Sequence, residues 1–167
     1  MATPTTLPAT FVAGNVLTAA QLNSLRGAFR VLQVVYGSTS TSTSSSVTAY
    51  ADTTLTATIT PSATSSKVLV LVNQNGIYKS AGNANNGLNL KLFRGATELG
   101  LLAAAAGYTN SALENIQNSV NATVLDSPAT TSATTYKTQF ANQQASASVG
   151  VQTLSTLSTI ILMEISA

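Results

Sequence analysis

The sequence predicts an all-β fold: an antiparallel, jelly-roll-like sandwich of about 8–10 strands. An extended arm and one short N-terminal helix precede it. Three observations predict this. Apolar residues alternate with hydroxyl residues at period two, as where Leu55, Ala57 and Ile59 alternate with Thr54, Thr56, Thr58 and Thr60. Period two puts one set on a core and the other on a surface. The apolar runs are short and separated by turn signals such as Pro61 and Asp126-Ser127-Pro128, the spacing of all-β domains. Clear helical periodicity occurs in one place, near the N-terminus. An up-and-down barrel fits the same signals, and nothing in the pattern separates the two closures.

Residues 1–17 read as an extended arm, because Pro4 and Pro8 disfavour helix and the Thr residues around them favour extended backbone. Residues 18–30 read as a helix. Thr18 is a good N-cap with Gln21 three residues on, and Leu17 and Leu22 occupy staple positions. Leu22, Leu25 and Phe29 then share one face. A helix of about 12 residues is marginal alone, so that face must dock on something. The division is therefore 1–30, an arm and helix, and 31–167, a β-sandwich domain.

Val31–Tyr36 reads as a strand, and Ser38–Ser46 as a Ser/Thr tract, either a loop or part of an edge strand. Val47–Ala51 and Leu55–Thr60 follow. Lys67–Asn73 is apolar between polar ends, like a strand covered on both faces. Residues 76–87, rich in Asn and Gly, read as a loop. Leu88, Leu90 and Leu92 mark a strand, and Arg94-Gly95-Ala96-Thr97 a hairpin turn into Glu98–Leu102. Ala103–Ala106 fits helix or strand. Ser119–Leu125, Thr134–Ala141, Ser146–Val151 and Thr159–Ile165 complete the strands.

Composition excludes several functions. Of 167 residues, 7% are charged, 44% are hydrophobic, and Cys, His and Trp are absent. Ser and Thr make roughly a quarter of the chain. Without Cys or His there is no disulfide framework and no ordinary zinc, haem or copper site, so no cofactor is expected. The net charge of +2 comes from seven scattered basic and five acidic residues, which does not suit nucleic acid. The basic residues, Arg26 and Arg30 included, read as solvated. The first of them is Arg26 and the longest apolar run is Leu101–Ala106, so neither a secretion signal nor a membrane span is expected.

Catalytic candidates are few. Asp52, Glu98, Glu114, Asp126 and Glu164 show no spacing that selects an acid–base pair. Asp126 reads as a turn acceptor, and Glu164 as pointing outward or pairing with a base. The serines lack a His base and a nucleophile elbow. A Ser66–Lys67 pair is disfavoured because strand neighbours point to opposite faces. The 82–87 loop carries no carboxylate for calcium. The chain is therefore expected not to be an enzyme.

Four segments carry a resemblance. Phe11-Val12-Ala13-Gly14-Asn15-Val16-Leu17-Thr18-Ala19-Ala20-Gln21-Leu22-Asn23 resembles the N-terminal segment of many tailed-bacteriophage virion proteins. Val31–Val35 followed by Thr58-Ile59-Thr60-Pro61-Ser62-Ala63-Thr64-Ser65-Ser66-Lys67-Val68-Leu69-Val70 is similar to a β domain of phage fibre and structural proteins. Leu125–Lys137 and Thr159–Ile165 belong to the same pattern, and residues 76–118 depart from it most. The resemblance implies a non-enzymatic homotrimer at the particle surface, held by its N-terminal segment through Phe11, Leu17, Leu22, Leu25 and Phe29. With no heptads or repeats to build a shaft, it implies a capsid decoration (cement) protein or head fibre on the major capsid protein. The alternative is a short tail fibre or receptor-binding protein on a tail adaptor or nozzle protein, touching host-surface glycans. Outside the resemblance, a carbohydrate-binding or adhesin-like module is the remaining reading.

Overall fold

The computed structural model describes residues 16, 30–82, 84–112, 115–145 and 147–166. The arm and helix expected over 1–30, with Phe11, Leu17, Leu22, Leu25 and Phe29, lie outside the described residues apart from Val16 and Arg30. The strands are β1 (Val31–Thr39), β2 (Thr43–Ser45), β3 (Ala51–Ile59), β4 (Lys67–Lys79), β5 (Asn86–Arg94), β6 (Thr97–Thr109), β7 (Ile116–Asp126), β8 (Thr134–Asn142), β9 (Val149–Val151) and β10 (Ser158–Ile165). All named pairings are antiparallel. The first sheet runs β1-β10-β4-β9-β2, with β7 also on β4, and the second runs β3-β8-β5-β6. Two sheets rather than one closed barrel make this a jelly-roll-like sandwich.

Alternation builds the core. Val68, Val70 and Val72 of β4 and Ile160 and Leu162 of β10 point inward from the first sheet. Leu55 and Ile59 of β3, Leu92 of β5 and Tyr136 of β8 meet them from the second. A second cluster holds Ile77, Leu88, Leu90, Phe140, Val149 and Val151. Between them runs a buried polar seam. Thr138 Oγ1 donates to Gln74 Oε1 at 2.9 Å and lies 2.5 Å from Thr53 Oγ1. Gln74 Nε2 donates to Ser158 Oγ at 3.2 Å. These groups tie the sheets together, and each would cost stability if buried without its partner.

Glycine is required at Gly37 and at Gly76. A Cβ at Gly37 would stand 2.2 Å from the Thr56 carbonyl oxygen, so only glycine lets β1 pass this close to β3. Gly76 has a φ of 60° at the irregularity between Gln74 and Ile77, a left-handed backbone that glycine adopts freely.

Some expectations change, and two that the sequence left open, Ala103–Ala106 and the Ser/Thr tract, resolve to the strand alternative. Residues 76–87 are not one loop: β4 continues to Lys79 and β5 begins at Asn86, because the bulge at Gly76 absorbs the glycine without ending the strand. Ala103–Ala106 is strand, within β6. The Ser/Thr tract holds the end of β1 and the short strand β2. Lys79 is not solvated: it is buried, and its Nζ donates to the Ser111 carbonyl at 2.9 Å. Over Lys67–Asn73, Val68, Val70 and Val72 are buried in the core, and Lys67, Leu69, Leu71 and Asn73 lie on the outer face, partly buried among the described residues.

Candidate interaction face

The outward residues of the first sheet fall into rows set by strand register. The first row is Val31, Ile165 and Lys67. The second crosses four strands as Val34, Met163, Leu69 and Leu125. The third is Tyr36, Ile161, Leu71 and Thr123. The fourth turns polar: Ser38, Thr159, Asn73 and Asn121. Val34, Tyr36 and Leu125 are each 57% exposed and Val31 is 51% exposed. At about 4.8 Å between strands and about 3.3 Å per residue, the three rows span about 15 Å by about 13 Å. The exposed apolar members of this surface are Val31, Val34, Tyr36 and Leu125, whereas Ile165, Met163, Leu69, Ile161 and Leu71 are partly buried. A shallow depression of about 290 Å³ opens at its polar margin, between Leu71, Asn73, Asn121, Thr123, Thr159 and Ile161.

The outer face of the second sheet differs in kind. Thr54, Thr56 and Thr58 of β3 are exposed, as their alternation predicts. Thr58 and Thr135 hydroxyls pair across the strands at 2.8 Å. Asp52 accepts from Lys137 Nζ at 2.9 Å and from Gln139 Nε2 at 2.8 Å. Burial would raise the Asp52 pKa, but these two donors outweigh it and hold the carboxyl below its ordinary range. Lys91 Nζ bonds Glu98 at 2.7 Å and sits 4.4 Å from the centre of the Tyr50 ring. Glu98 holds the Lys91 ammonium above its usual pKa.

Two carboxylates depart from expectation. Glu164 neither points outward nor pairs with a base. It is fully buried on the inward side of β10, where Ser62 N–H donates to Oε1 at 2.7 Å, Ser62 Oγ at 2.6 Å, and Gln33 Nε2 to Oε2 at 2.6 Å. Burial pushes its pKa up, but the donors from Ser62, Gln33 and Ser66 prevail and bring it to about 2. The Pro61–Ser66 turn therefore supplies hydroxyl and amide donors to the last strand. Asp126 is not a simple turn acceptor. Arg94 Nη1 donates to its two oxygens at 2.9 and 2.7 Å, and Tyr136 Oη donates at 2.7 Å. The cluster joins β5 and β8 of one sheet to β7 of the other. Burial and the Asp126 carboxylate push the Tyr136 phenol well up. Tyr136→Phe removes one hydrogen bond to a charged acceptor, so a loss of about 1.5 kcal/mol is expected in urea unfolding. An unchanged midpoint would mean the tyrosine contributes through packing alone.

Among the described residues, no three His, Cys, Asp or Glu side chains gather as metal ligands. Lys67 Nζ donates to Ser127 Oγ at 2.9 Å, and Ser66 is buried. Of the attachment candidates Phe11, Leu17, Leu22, Leu25 and Phe29, none falls among the described residues. The chain leading to them enters at Arg30. Arg30 N–H donates to Ser166 Oγ, and Ser166 N–H donates to the Arg30 carbonyl, each at 2.9 Å. Arg30 thus sits at the rim of the apolar face, next to Val31. Sequence reasoning missed the face itself. Its signal was present: Val68-Leu69-Val70-Leu71 and Ile160-Ile161-Leu162-Met163 are apolar in both alternating sets.

No protein-family model matches the chain, and no curated protein matches it. Among solved structures, it is similar to the crystal structure of the infectious bursal disease virus VP2 subviral particle. The TM-score is 0.43 at 12% identity, over 81% of this chain and 39% of that one. The chain spans about two fifths of the length of that protein.

Proposed function

We propose that this is a structural virion protein of a tailed bacteriophage. In this reading it is displayed on the particle surface as a homotrimeric capsid decoration protein or head fibre, and it has no catalytic activity. The observation that carries the reading is the contrast between the two outer faces. One sheet offers an apolar surface suited to burial in an assembly. The other offers threonines, Asp52, Lys91 and Lys137, suited to display in water. The sequence resemblance supports the phage assignment, and residues 1–30 supply the attachment to the major capsid protein.

Copy number in purified particles tests it. A decoration protein is expected at a copy number comparable to that of the major capsid protein, and light scattering of the purified chain is expected to give a trimer. A copy number matching the tail instead would replace this reading with that of a short tail fibre on an adaptor or nozzle protein. The polar face favours this second reading in one respect. Asp52, Thr54, Thr56 and Lys137 line a depression of about 150 Å³, and such groups bond sugar hydroxyls. Glycan binding lost in Thr56→Val would support it. A monomer, or absence from particles, would remove both readings.

A further inference from the structure

We propose that copies of this chain join edge to edge, β7 of one copy pairing antiparallel with β1 of the next, and that three such contacts close a ring around the apolar face. This rests on the homotrimer of the proposed function and assigns the surface that builds it. Across the first sheet β1, β10, β4 and β7 lie in that order, each antiparallel to its neighbour. β1 and β7 therefore run in opposite directions, so a second copy's β1 beside β7 continues the antiparallel pattern. Both edges are regular over seven residues: Gln33–Thr39 keeps unbroken register with β10, and Val120–Asp126 with β4. Extending the rows by one strand sets these two stretches opposite each other, residue for residue. Val34 then faces Leu125 and Val35 faces Val124, apolar against apolar, while Ser38 faces Asn121, polar against polar. Cross-strand pairs of matched chemistry stabilise a sheet.

Edges that stay in water are guarded by charges, prolines and bulges. The edges of the second sheet follow that rule. β3 is irregular between Asp52 and Thr56, with Thr54 at a φ of 67°. β6 carries Glu98 and four register shifts against β5. By contrast, Gln33–Thr39 and Val120–Leu125 contain neither charge nor proline. Exposure points the same way. Val31, Val34, Tyr36 and Leu125, the exposed apolar members of the rows, all stand on β1 and β7, the outermost strands. Their row partners on β4 and β10 are already partly buried, so a neighbour at each edge covers what the fold leaves open. The contact is head-to-tail, because β7 meets β1 and not a second β7. Head-to-tail contacts form a ring when their rotation closes. With the first sheets inside the ring, their apolar faces enclose its axis. The guarded edges β3 and β6 then spread apart on the outside, in water.

The chain has no cysteine, so engineered pairs report on this contact directly in the full-length protein. Paired residues on adjacent strands hold their Cα atoms about 4.5–5.5 Å apart, within disulfide reach. Within one chain Val34 and Leu125 lie three strands apart, about 14 Å, beyond that reach. Val34→Cys with Leu125→Cys in the same chain is therefore expected, on oxidation, to give covalent species that stop at three chains, and either change alone to give none. An offset of two residues keeps the same faces together, so Val34→Cys with Thr123→Cys and Tyr36→Cys with Leu125→Cys are oxidised alongside. Leu125→Lys, which puts a charge on the edge, should lower the mass in light scattering about threefold. Thr58→Lys, on the outer face of the second sheet, should leave it unchanged. A wild-type trimer that forms no disulfide in any of the three pairs would overturn the proposal and leave the virion reading in place. So would a ladder running past three chains, or a trimer that survives Leu125→Lys. A wild-type monomer would remove both.

Discussion

Glu164→Gln is expected to cost about 3 kcal/mol of stability at neutral pH, with a fall in melting temperature of roughly 6–12 °C. The carboxylate is fully buried and takes three short hydrogen bonds from Ser62 and Gln33. Hydrogen bonds to a charged acceptor are the stronger kind. An amide in its place turns one acceptor into a donor that faces other donors. The pH dependence identifies the cause. The folded carboxyl is lowered from 4.5 to about 2, so its contribution is complete above 4.5 and is lost as pH falls through about 2. The gap in unfolding midpoint between wild type and Glu164→Gln should stay constant above that window. It should close across the window, where the wild-type carboxyl takes up its proton. A gap that persists below pH 2 would mean that the substitution damages packing rather than charge.

How far the sequence could be read depended on what each segment's pattern can encode. Leu55–Ile59 was legible because its two alternating sets differ in chemistry, and β3 has the buried and exposed faces that this predicts. Lys67–Asn73 was half legible. With both sets apolar, the pattern cannot say whether the second face has a cover within the described fold. Glu164 was misread because its donors come from Ser62 and Gln33, far away in sequence. A single acid in a strand carries no local sign of such partners. Asp126 failed for the same reason: Arg94 and Tyr136 reach it from two other strands. Gly76 looked like loop punctuation, whereas in an antiparallel pair one glycine can absorb an extra residue and let the strand continue. The contrast between the outer faces was open to inspection at each strand, yet it is a property of register. It emerges only when Val34, Met163, Leu69 and Leu125 are aligned.

The second large effect concerns attachment. If residues 1–30 hold the protein to the particle, Phe11, Leu17, Leu22, Leu25 and Phe29 are the apolar side chains that make the contact. Burying a Phe or Leu contributes roughly 1.5–3 kcal/mol, and a trimer repeats each contact three times. Phe11→Asp and Leu17→Asp should therefore abolish loading onto particles, since each places an unpaired charge in an apolar contact. Leu22→Asp and Phe29→Asp should lower loading for the same reason. Arg26→Ala and Arg30→Ala should have little effect. Apolar attachment also predicts a salt response. Exposed ion pairs are screened as the Debye length falls from about 10 Å at 0.1 M to about 3 Å at 1 M, whereas apolar contacts persist. Bound protein measured by sedimentation of particles across that range should stay constant. Release at moderate salt, or a larger loss from the two arginine changes than from Phe11→Asp, would show that charge rather than burial holds the protein in place.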